Sequence, residues 1–408
     1  VTAGGRRVGI AVLGLGWMGQ AHSRSALRLP SLFPDHAYAP ELVVCADTDP
    51  GRRERAVRDF GFARATADWQ EAVAADDVDA VWVTAPNMLH VPMIEAACAA
   101  GKAVFSEKPI GGKPEHAVAA YRAALAAGVP SGVGYNYLWA PLVLHARAMV
   151  AQGRLGRITH YRGRFLSMYG SDELGLLTWR FKLAEAGYGV TSDILSHSVS
   201  MARFLLGDEI SELVGMRETT IPRRPLPTGA ASHYGRGRPE DPHGDVENED
   251  FASMLCRFAG GATGTFECSR TMVGPESQNA FEIYGTEGSL AWNLERVNEL
   301  QYYRRGPEDE TGWTTVFGGD RFPYHGAFVP GQANAIGFED LVAIEDHAFL
   351  QSLVTGESFS PSFGDAVDVV AVQQALVDSW SSRTWESVPA LRAQADGAHA
   401  AATTAQED

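Results

Sequence analysis

The sequence predicts an α/β domain built on a doubly wound parallel sheet, followed by an α+β domain with a mostly antiparallel sheet. Three observations predict it. The first 140 residues alternate short apolar runs with alanine-rich helical stretches. Beyond that point strand-like runs follow one another with few helices between them. At 408 residues the chain exceeds one ordinary core, so length favours two domains.

The run Val8 to Leu13 is apolar and ends in glycine, as a strand buried on both faces should. Leu42–Ala46, Ala80–Thr84 and Ala103–Phe105 repeat that signature, with helical stretches at 51–60, 68–75, 91–100 and 114–127 between them. Strand and helix alternating in this way imply a parallel sheet covered on both sides. Leu29 to Pro40 carries three prolines and reads as an ordered loop before the second strand. After residue 140, helices at 141–152 and 190–206 bracket a strand at 157–168. Strands are then expected at 210–219, 250–258, 262–270, 279–284, 288–293, 299–304 and 313–317, and helices near 336–355 and 363–383. The expected division is 1–140, 141–390 and a flexible tail at 391–408. Residues 222–248 form a long Pro/Gly/Arg/His-rich loop, suited to a function or an interface.

Lys and Arg total 34 against 50 Asp and Glu, a net charge of −16, which excludes a general nucleic-acid binder. Cys45, Cys98, Cys256 and Cys268 lie apart in apolar stretches and read as buried free thiols, with no metal site or disulfide framework. That suits a cytoplasmic protein. No stretch reaches the roughly 18 apolar residues of a membrane span. Arg6-Arg7 before an apolar run resembles a twin-arginine export signal, but the run lies inside a glycine fingerprint and no clean cleavage site follows.

That fingerprint is Gly14-Leu-Gly16-Trp17-Met18-Gly19, placed between a strand and a helix. Its first glycine permits the turn, its second lets backbone amides approach a pyrophosphate, and its third lets helix and strand pack closely. The helix N-terminus adds partial positive charge toward phosphate. This is the signature of a Rossmann dinucleotide-binding domain. Asp47 ends the second strand, where a carboxylate accepts a ribose diol and repels a 2′-phosphate. NAD is therefore expected over NADP, although Arg52 and Arg53 lie near enough to favour the phosphate.

Ala85-Pro86-Asn87 with His90 follows the third clear strand, at the carboxyl end of the sheet where ligands bind. Asn87 and His90 read either as cofactor-side residues or as helix caps. Glu107-Lys108-Pro109 follows the next strand, and Lys108 reads as an electrophile or as a surface lysine. Asp193 and His197 are four apart on a helical pattern, which puts them on one face. A carboxylate beside an imidazole raises its pKa and orients it for general base catalysis, although most such pairs are solvated surface pairs.

Together with Trp179-Arg180-Phe181 and Gly187-x-Gly189-x-x-x-Asp193-x-x-x-His197, these motifs occur in the order seen in the glucose–fructose oxidoreductase/inositol dehydrogenase (Gfo/Idh/MocA) family. The chain resembles that family over roughly residues 6–388, and within it most resembles the levoglucosan and glycoside dehydrogenases. The resemblance implies a large open sheet in the second domain and assembly through it as a homodimer or homotetramer. It makes Lys108, Asp193 and His197 the catalytic set, with His197 taking the proton from a ring hydroxyl and Lys108 stabilising the oxygen. It places Asn136, Trp179 and Arg180 beside the nicotinamide. The implied activity is NAD-dependent oxidation of a secondary hydroxyl, with C3 preferred, of a sugar, glycoside or cyclitol. A glycoside hydrolase working through a transient 3-keto intermediate, an inositol dehydrogenase and a non-catalytic regulator are the alternatives.

The chain departs from levoglucosan dehydrogenases at Phe165-Leu-Ser-Met-Tyr169, where they resemble one another in a Gln-Asp-Trp run. Arg162, Arg164, Tyr169, Tyr324 and His325 are therefore substrate candidates, each with a packing role as the alternative. The acidic field leaves local amides, Lys108 and Arg180 to hold any phosphate, which favours a neutral sugar.

Overall fold

In the computed structural model, residues 5–229, 235–307 and 311–407 are described, with side chains only to residue 402. In chain order, the first elements are β1 (Arg6–Leu13), α1 (Trp17–Leu32), β2 (Tyr38–Ala46), α2 (Pro50–Arg55), β3 (Arg64–Thr66), α3 (Trp69–Ala74), β4 (Ala80–Val83), α4 (His90–Ala99), β5 (Ala103–Ser106), α5 (Pro114–Ala127) and β6 (Ser131–Val133). Their sheet has the order β3-β2-β1-β4-β5-β6 with every pair parallel. The order reverses between β1 and β4, so the loops after those strands flank the crevice where a dinucleotide binds. Ala11 to Leu13 and Ala80 to Val83 are at most 2 % exposed. Burial on both faces is why these strands read as unbroken apolar runs.

The second group runs α6 (Pro141–Ala151), β7 (Ile158–Leu166), α7 (Leu183–Ala186), α8 (Val190–Asp193), α9 (Leu195–Leu206), β8 (Ile210–Glu218), β9 (Arg223–Pro225), β10 (His243–Asp245), β11 (Phe251–Phe258), β12 (Thr263–Ser269), β13 (Gln278–Gly285), β14 (Gly288–Asn293), β15 (Glu299–Arg304) and β16 (Trp313–Phe317). The chain closes with α10 (Phe338–Thr355), α11 (Phe363–Ser382), β17 (Glu386–Ser387) and α12 (Leu391–Glu407). Among the described residues, nine strands form one sheet in the order β16-β15-β14-β13-β7-β12-β11-β8-β17, in which only β7 and β12 pair in parallel. Along β7, Tyr161, Gly163 and Phe165 are buried while Arg162 is exposed, the alternation of a sheet covered on one face. α9 packs on that covered face through Leu195, Val199, Ala202 and Leu205, each at most 2 % exposed.

The chain divides into two compact units. One holds the residues up to Trp139 with Gly337–Asp368 and the stretch from Ala390 onward, and the other holds Ala140–Ile336 with Val369–Pro389. The expected single span 141–390 is thus interrupted, because α10 packs on α1. Arg24 pairs with Glu339 at 2.5 Å, Arg28 with Asp340 at 2.6 Å, and the Trp17 and Phe338 rings stack at 4.9 Å. The tail expected to fray is helical from Leu391. Ala395 is fully buried, Arg392 bonds Asp368 at 3.0 Å, and the Tyr121 hydroxyl donates to Asp396 at 2.6 Å.

The proline-rich loop expected at 29–40 is mostly regular structure. α1 continues past Pro30 to Leu32, and β2 begins at Tyr38. Leu29 and Tyr38 are fully buried, so packing extends both elements into the segment. Part of the expected 222–248 loop forms the two-stranded β9–β10 ribbon. Its residues 230–234, and residue 408 of the tail, lie outside the described residues. All four cysteines are buried, and burial pushes the thiols of Cys45 and Cys256 up to about 12. No helix among the described residues is long and apolar enough to cross a membrane.

Candidate functional site

The first unit holds the glycine turn. Gly14 has φ +97°, and a Cβ there would lie 2.8 Å from the Ala85 backbone. A Cβ on Gly19 would lie 2.0 Å from the Gly14 carbonyl oxygen, so α1 and β1 approach too closely for any side chain. Gly16 differs, since a Cβ there would meet nothing within 4 Å. The open space lies at the N-terminus of α1, whose cap has no side-chain acceptor. Its amides are left for a phosphate, and this cradle fits a dinucleotide. Trp17 is exposed and Met18 half-buried on the first turn.

Asp47 ends β2, where its Oδ2 accepts the Leu15 amide at 2.7 Å and its Oδ1 accepts the Asp49 amide at 2.9 Å. Arg52 Nη1 lies 3.5 Å from Asp47 Oδ2, and Arg53 Nη1 donates to the Asp47 carbonyl at 2.6 Å. Both arginines are thus engaged with Asp47 itself. Leu15, Gln20, Arg52, Arg55, Asp59 and Phe60 line a small cleft beside the glycine turn.

Asn87 opens a short 3-10 turn, Asn87–Leu89, whose C-cap is His90. His90 is the first residue of α4 and is 1 % exposed, with Nδ1 2.9 Å from the Pro109 carbonyl and Nε2 2.7 Å from the Ala85 carbonyl. The ring holds the Ala85-Pro86-Asn87 loop to the turn after β5. Burial pushes it below the ordinary histidine range, against the two carbonyls that favour protonation. In that turn Glu107 is buried, Lys108 is half-buried, and Glu107 Oε2 accepts the Lys108 amide at 3.2 Å. Asn136 follows β6 and is 4 % exposed. Its amide nitrogen is buried with no hydrogen-bond partner among the described residues. Such a donor suits a ligand carbonyl.

The second unit holds Asp193 and His197. α8 ends at Asp193 and α9 begins at Leu195, so the expected helix face carrying Asp193 and His197 is broken at Ile194. His197 is 5 % exposed, and its ring lies 5.9 Å from that of Phe165 on β7. The Asp193 carboxylate keeps about a fifth of its surface in solvent, with Arg180 Nη1 3.8 Å away. The Tyr169 hydroxyl donates to Asp193 Oδ2 at 2.9 Å. Burial first, and then the Asp193 charge, push the Tyr169 phenol up, so it remains a neutral donor. The Arg180 guanidinium lies 4.6 Å from the Trp179 ring centroid.

Sequence reasoning missed the frame behind these groups. Asn248, Glu249 and Asp250 are fully buried. Asn248 Nδ2 donates to the carbonyls of Arg180 and Gly187 at 3.0 Å, and Glu249 Oε1 accepts the Thr191 amide at 2.9 Å. Arg270 donates to Asp250 at 2.7 Å and to Asn248 at 2.8 Å. Arg224 and Arg270 lie over the Phe181 ring at 4.3 and 4.4 Å, and Arg224 also holds the Gly170 and Asp172 carbonyls beside Tyr169. Three consecutive polar residues before an apolar strand were the available signal.

Three substrate candidates take packing roles instead. Arg162 and Arg164 pair with Glu282 at 3.0 and 2.9 Å, on the face of the sheet opposite Phe165 and α9. Strand alternation sends even-numbered side chains of β7 away from His197. His325 is 1 % exposed and its Nε2 bonds the Asn334 carbonyl at 2.8 Å, which pins its own loop. Tyr324 precedes it with φ +63° and is half-buried.

The model of an oxidoreductase family with an NAD-binding Rossmann fold matches residues 8–135, and a GFO/IDH/MocA C-terminal domain matches residues 143–291. A levoglucosan dehydrogenase of Pseudarthrobacter phenanthrenivorans is 35% identical over 390 residues, which cover 95% of this chain and 100% of that protein. The chain belongs to the Gfo/Idh/MocA oxidoreductase family. A second family relative is the scyllo-inositol 2-dehydrogenase (NAD(+)) of Bacillus subtilis, 29% identical over 70% of this chain and 73% of its own length. A solved levoglucosan dehydrogenase in complex with NADH and levoglucosan superposes with TM-score 0.88 at 34% identity, covering 94% of this chain and 100% of that one. The Rossmann unit of this family member is therefore its NAD-binding domain.

Proposed function

We propose that the protein is an NAD-dependent dehydrogenase that oxidises a secondary ring hydroxyl of a sugar, glycoside or cyclitol to a ketone, with C3 of a glucose-type ring as the preferred position. The observation that carries this reading is the Asp193 carboxylate, held by Tyr169 at 2.9 Å and left partly open to solvent on the α8–α9 segment that carries His197. Levoglucosan and inositol dehydrogenases among the relatives support the substrate class. NAD, when bound, accepts a hydride at its nicotinamide. The glycine turn, Asp47, the Ala85–Asn87 loop and Asn136 would hold it.

His197 takes the hydroxyl proton, and Asp193 orients both substrate and imidazole. Lys108 donates a hydrogen bond to the same oxygen and stabilises the negative charge that develops there. Trp179 and Arg180 line the reacting end. Tyr324 remains a substrate candidate on this reading, whereas Arg162, Arg164 and His325 do not. A neutral sugar suits the −16 charge, and a homodimer or homotetramer in the cytoplasm belongs to the same reading.

The test is reduction of NAD and NADP by the purified protein across cyclitols, free sugars and glycosides, followed near 340 nm. NAD reduction by at least one ring polyol, lost in Lys108→Ala and His197→Ala, is expected. No reduction across the panel, with aglycone released from a glycoside, would replace this reading with the 3-keto hydrolase.

A further inference from the structure

His22 lies on α1, three residues past the glycine fingerprint, and is 2 % exposed. Its Nδ1 is 2.9 and 3.0 Å from the two oxygens of Asp346 on α10, and its Nε2 is 3.2 Å from Glu107 Oε1. An imidazole with a carboxylate at each nitrogen donates from both, and a ring that donates twice is the cation. The remaining neighbours complete the arrangement. Trp82 Nε1 on β4 donates to Asp346 Oδ1 at 3.0 Å, and the Phe105 ring of β5 meets His22 edge-on at 5.4 Å. Glu345, beside Asp346 on α10, is fully buried. Burial first and then the Glu107 charge raise its carboxyl well above the usual range, against His22 and Trp139.

This chain of contacts ends at the lysine turn. Glu107 Oε1 meets His22 while Oε2 accepts the Lys108 amide, so the orientation of one carboxylate fixes the backbone that carries Lys108. The other walls are tight, since a Cβ on Gly134 would lie 2.8 Å from Glu107 Oε1. Through α1 the same imidazole is joined to the turn that begins with Gly14. Resting on the dehydrogenase reading above, we infer that His22 is a positioning residue for Lys108. As a cation clamped between Asp346 and Glu107, it fixes the Glu107–Lys108 turn to the helix that opens at the dinucleotide cradle. Coulomb attraction between buried charges makes the clamp stiff, and removing the cation strands a buried carboxylate.

The charge is read without any assay of activity. In protein labelled with ¹⁵N-histidine, both ring nitrogens of His22, assigned by comparison with the His22→Gln spectrum, are expected to remain protonated at pH 9. A ring that loses its proton below pH 8 overturns the inference. Kinetically, His22→Gln is expected to lower kcat at least tenfold while the KM for NAD changes less than threefold. Adding Glu107→Gln, which removes one of the two stranded charges, is expected to recover kcat at least threefold over the single variant. A folded His22→Gln protein with kcat within twofold of the parent overturns the inference, as does a double variant no more active than the single one. If His22→Gln does not fold, the same pair is compared by Tm, and a double variant that is no more stable overturns it. An inactive parent protein defeats the dehydrogenase reading instead, and the ¹⁵N result then decides the clamp.

Discussion

The Tyr169 hydroxyl donates to Asp193 Oδ2 at 2.9 Å, which joins the loop after β7 to the end of α8. The Arg180 guanidinium also faces that carboxylate, at the longer distance of 3.8 Å. In Tyr169→Phe the carboxylate loses this hydrogen bond and gains freedom to turn. A hydrogen bond to a charged group contributes about 1.5–3 kcal/mol, so kcat/KM for the sugar is expected to fall roughly 10- to 100-fold. NAD affinity, measured by fluorescence titration, is expected to stay within about twofold, because the cradle lies in the other unit.

The glycine turn separates binding from folding. Gly16→Val places its side chain in open space, so Tm is expected to hold within a few degrees while the Kd for NAD rises at least tenfold. Gly19→Val drives its Cβ to 2.0 Å from the Gly14 carbonyl, and the helix must move off its strand. That variant is expected to unfold at clearly lower urea concentration, as overpacking predicts. Equal loss of stability in both variants would remove the distinction drawn between the two glycines.

Much of the fold and part of the site are legible in the sequence, because they are written in local patterns. The glycine fingerprint, the apolar strands and the Glu107-Lys108-Pro109 turn each specify their geometry within a few residues. Arg162 and Arg164 show the limit. Their residue type suggests a sugar site, yet the Tyr161, Gly163 and Phe165 alternation already assigns them to the other face of the sheet. His22 and Asp346 show a different limit, since 324 positions separate them and only the return of α10 to the first unit joins them. The same holds for the tail, whose helix depends on Tyr121 and Asp368 rather than on its own alanine-rich sequence.

The frame behind Asp193 depends on a fully buried ion pair. Arg270 and Asp250 are at most 1 % exposed and meet at 2.7 Å, with Asn248 and the Ile221 amide completing their bonds. Arg270→Met leaves Asp250 charged and unpaired in the interior. Breaking such a pair costs about 3–5 kcal/mol, expected here as a lower urea midpoint. Adding Asp250→Asn removes the stranded charge and is expected to recover part of that loss. A single variant as stable as the parent would show that the pair contributes nothing.

Two histidines of the first unit, His22 buried and His347 half-buried, predict opposite limbs in its stability against pH. His22 is held by Asp346 and Glu107 at about 10, against burial, while the unfolded chain titrates near 6.5. A base whose folded value is raised contributes in full below the unfolded value and loses that contribution as pH climbs toward the folded one. Stability should therefore fall from about pH 6.5 upward, by up to about 1.4 kcal/mol per pH unit. His347 behaves in the reverse sense. Burial, helped by His36, lowers it to about 4, with its Nδ1 bonded to the Tyr38 hydroxyl at 2.7 Å and its ring stacked on Phe33 at 3.9 Å. Its contribution is present above 6.5 and is lost as pH falls toward 4. Urea midpoints measured from pH 5 to 9 should peak near neutrality. His22→Gln should flatten the alkaline limb and His347→Gln the acid one. An alkaline limb unchanged in His22→Gln would place its origin elsewhere in the protein.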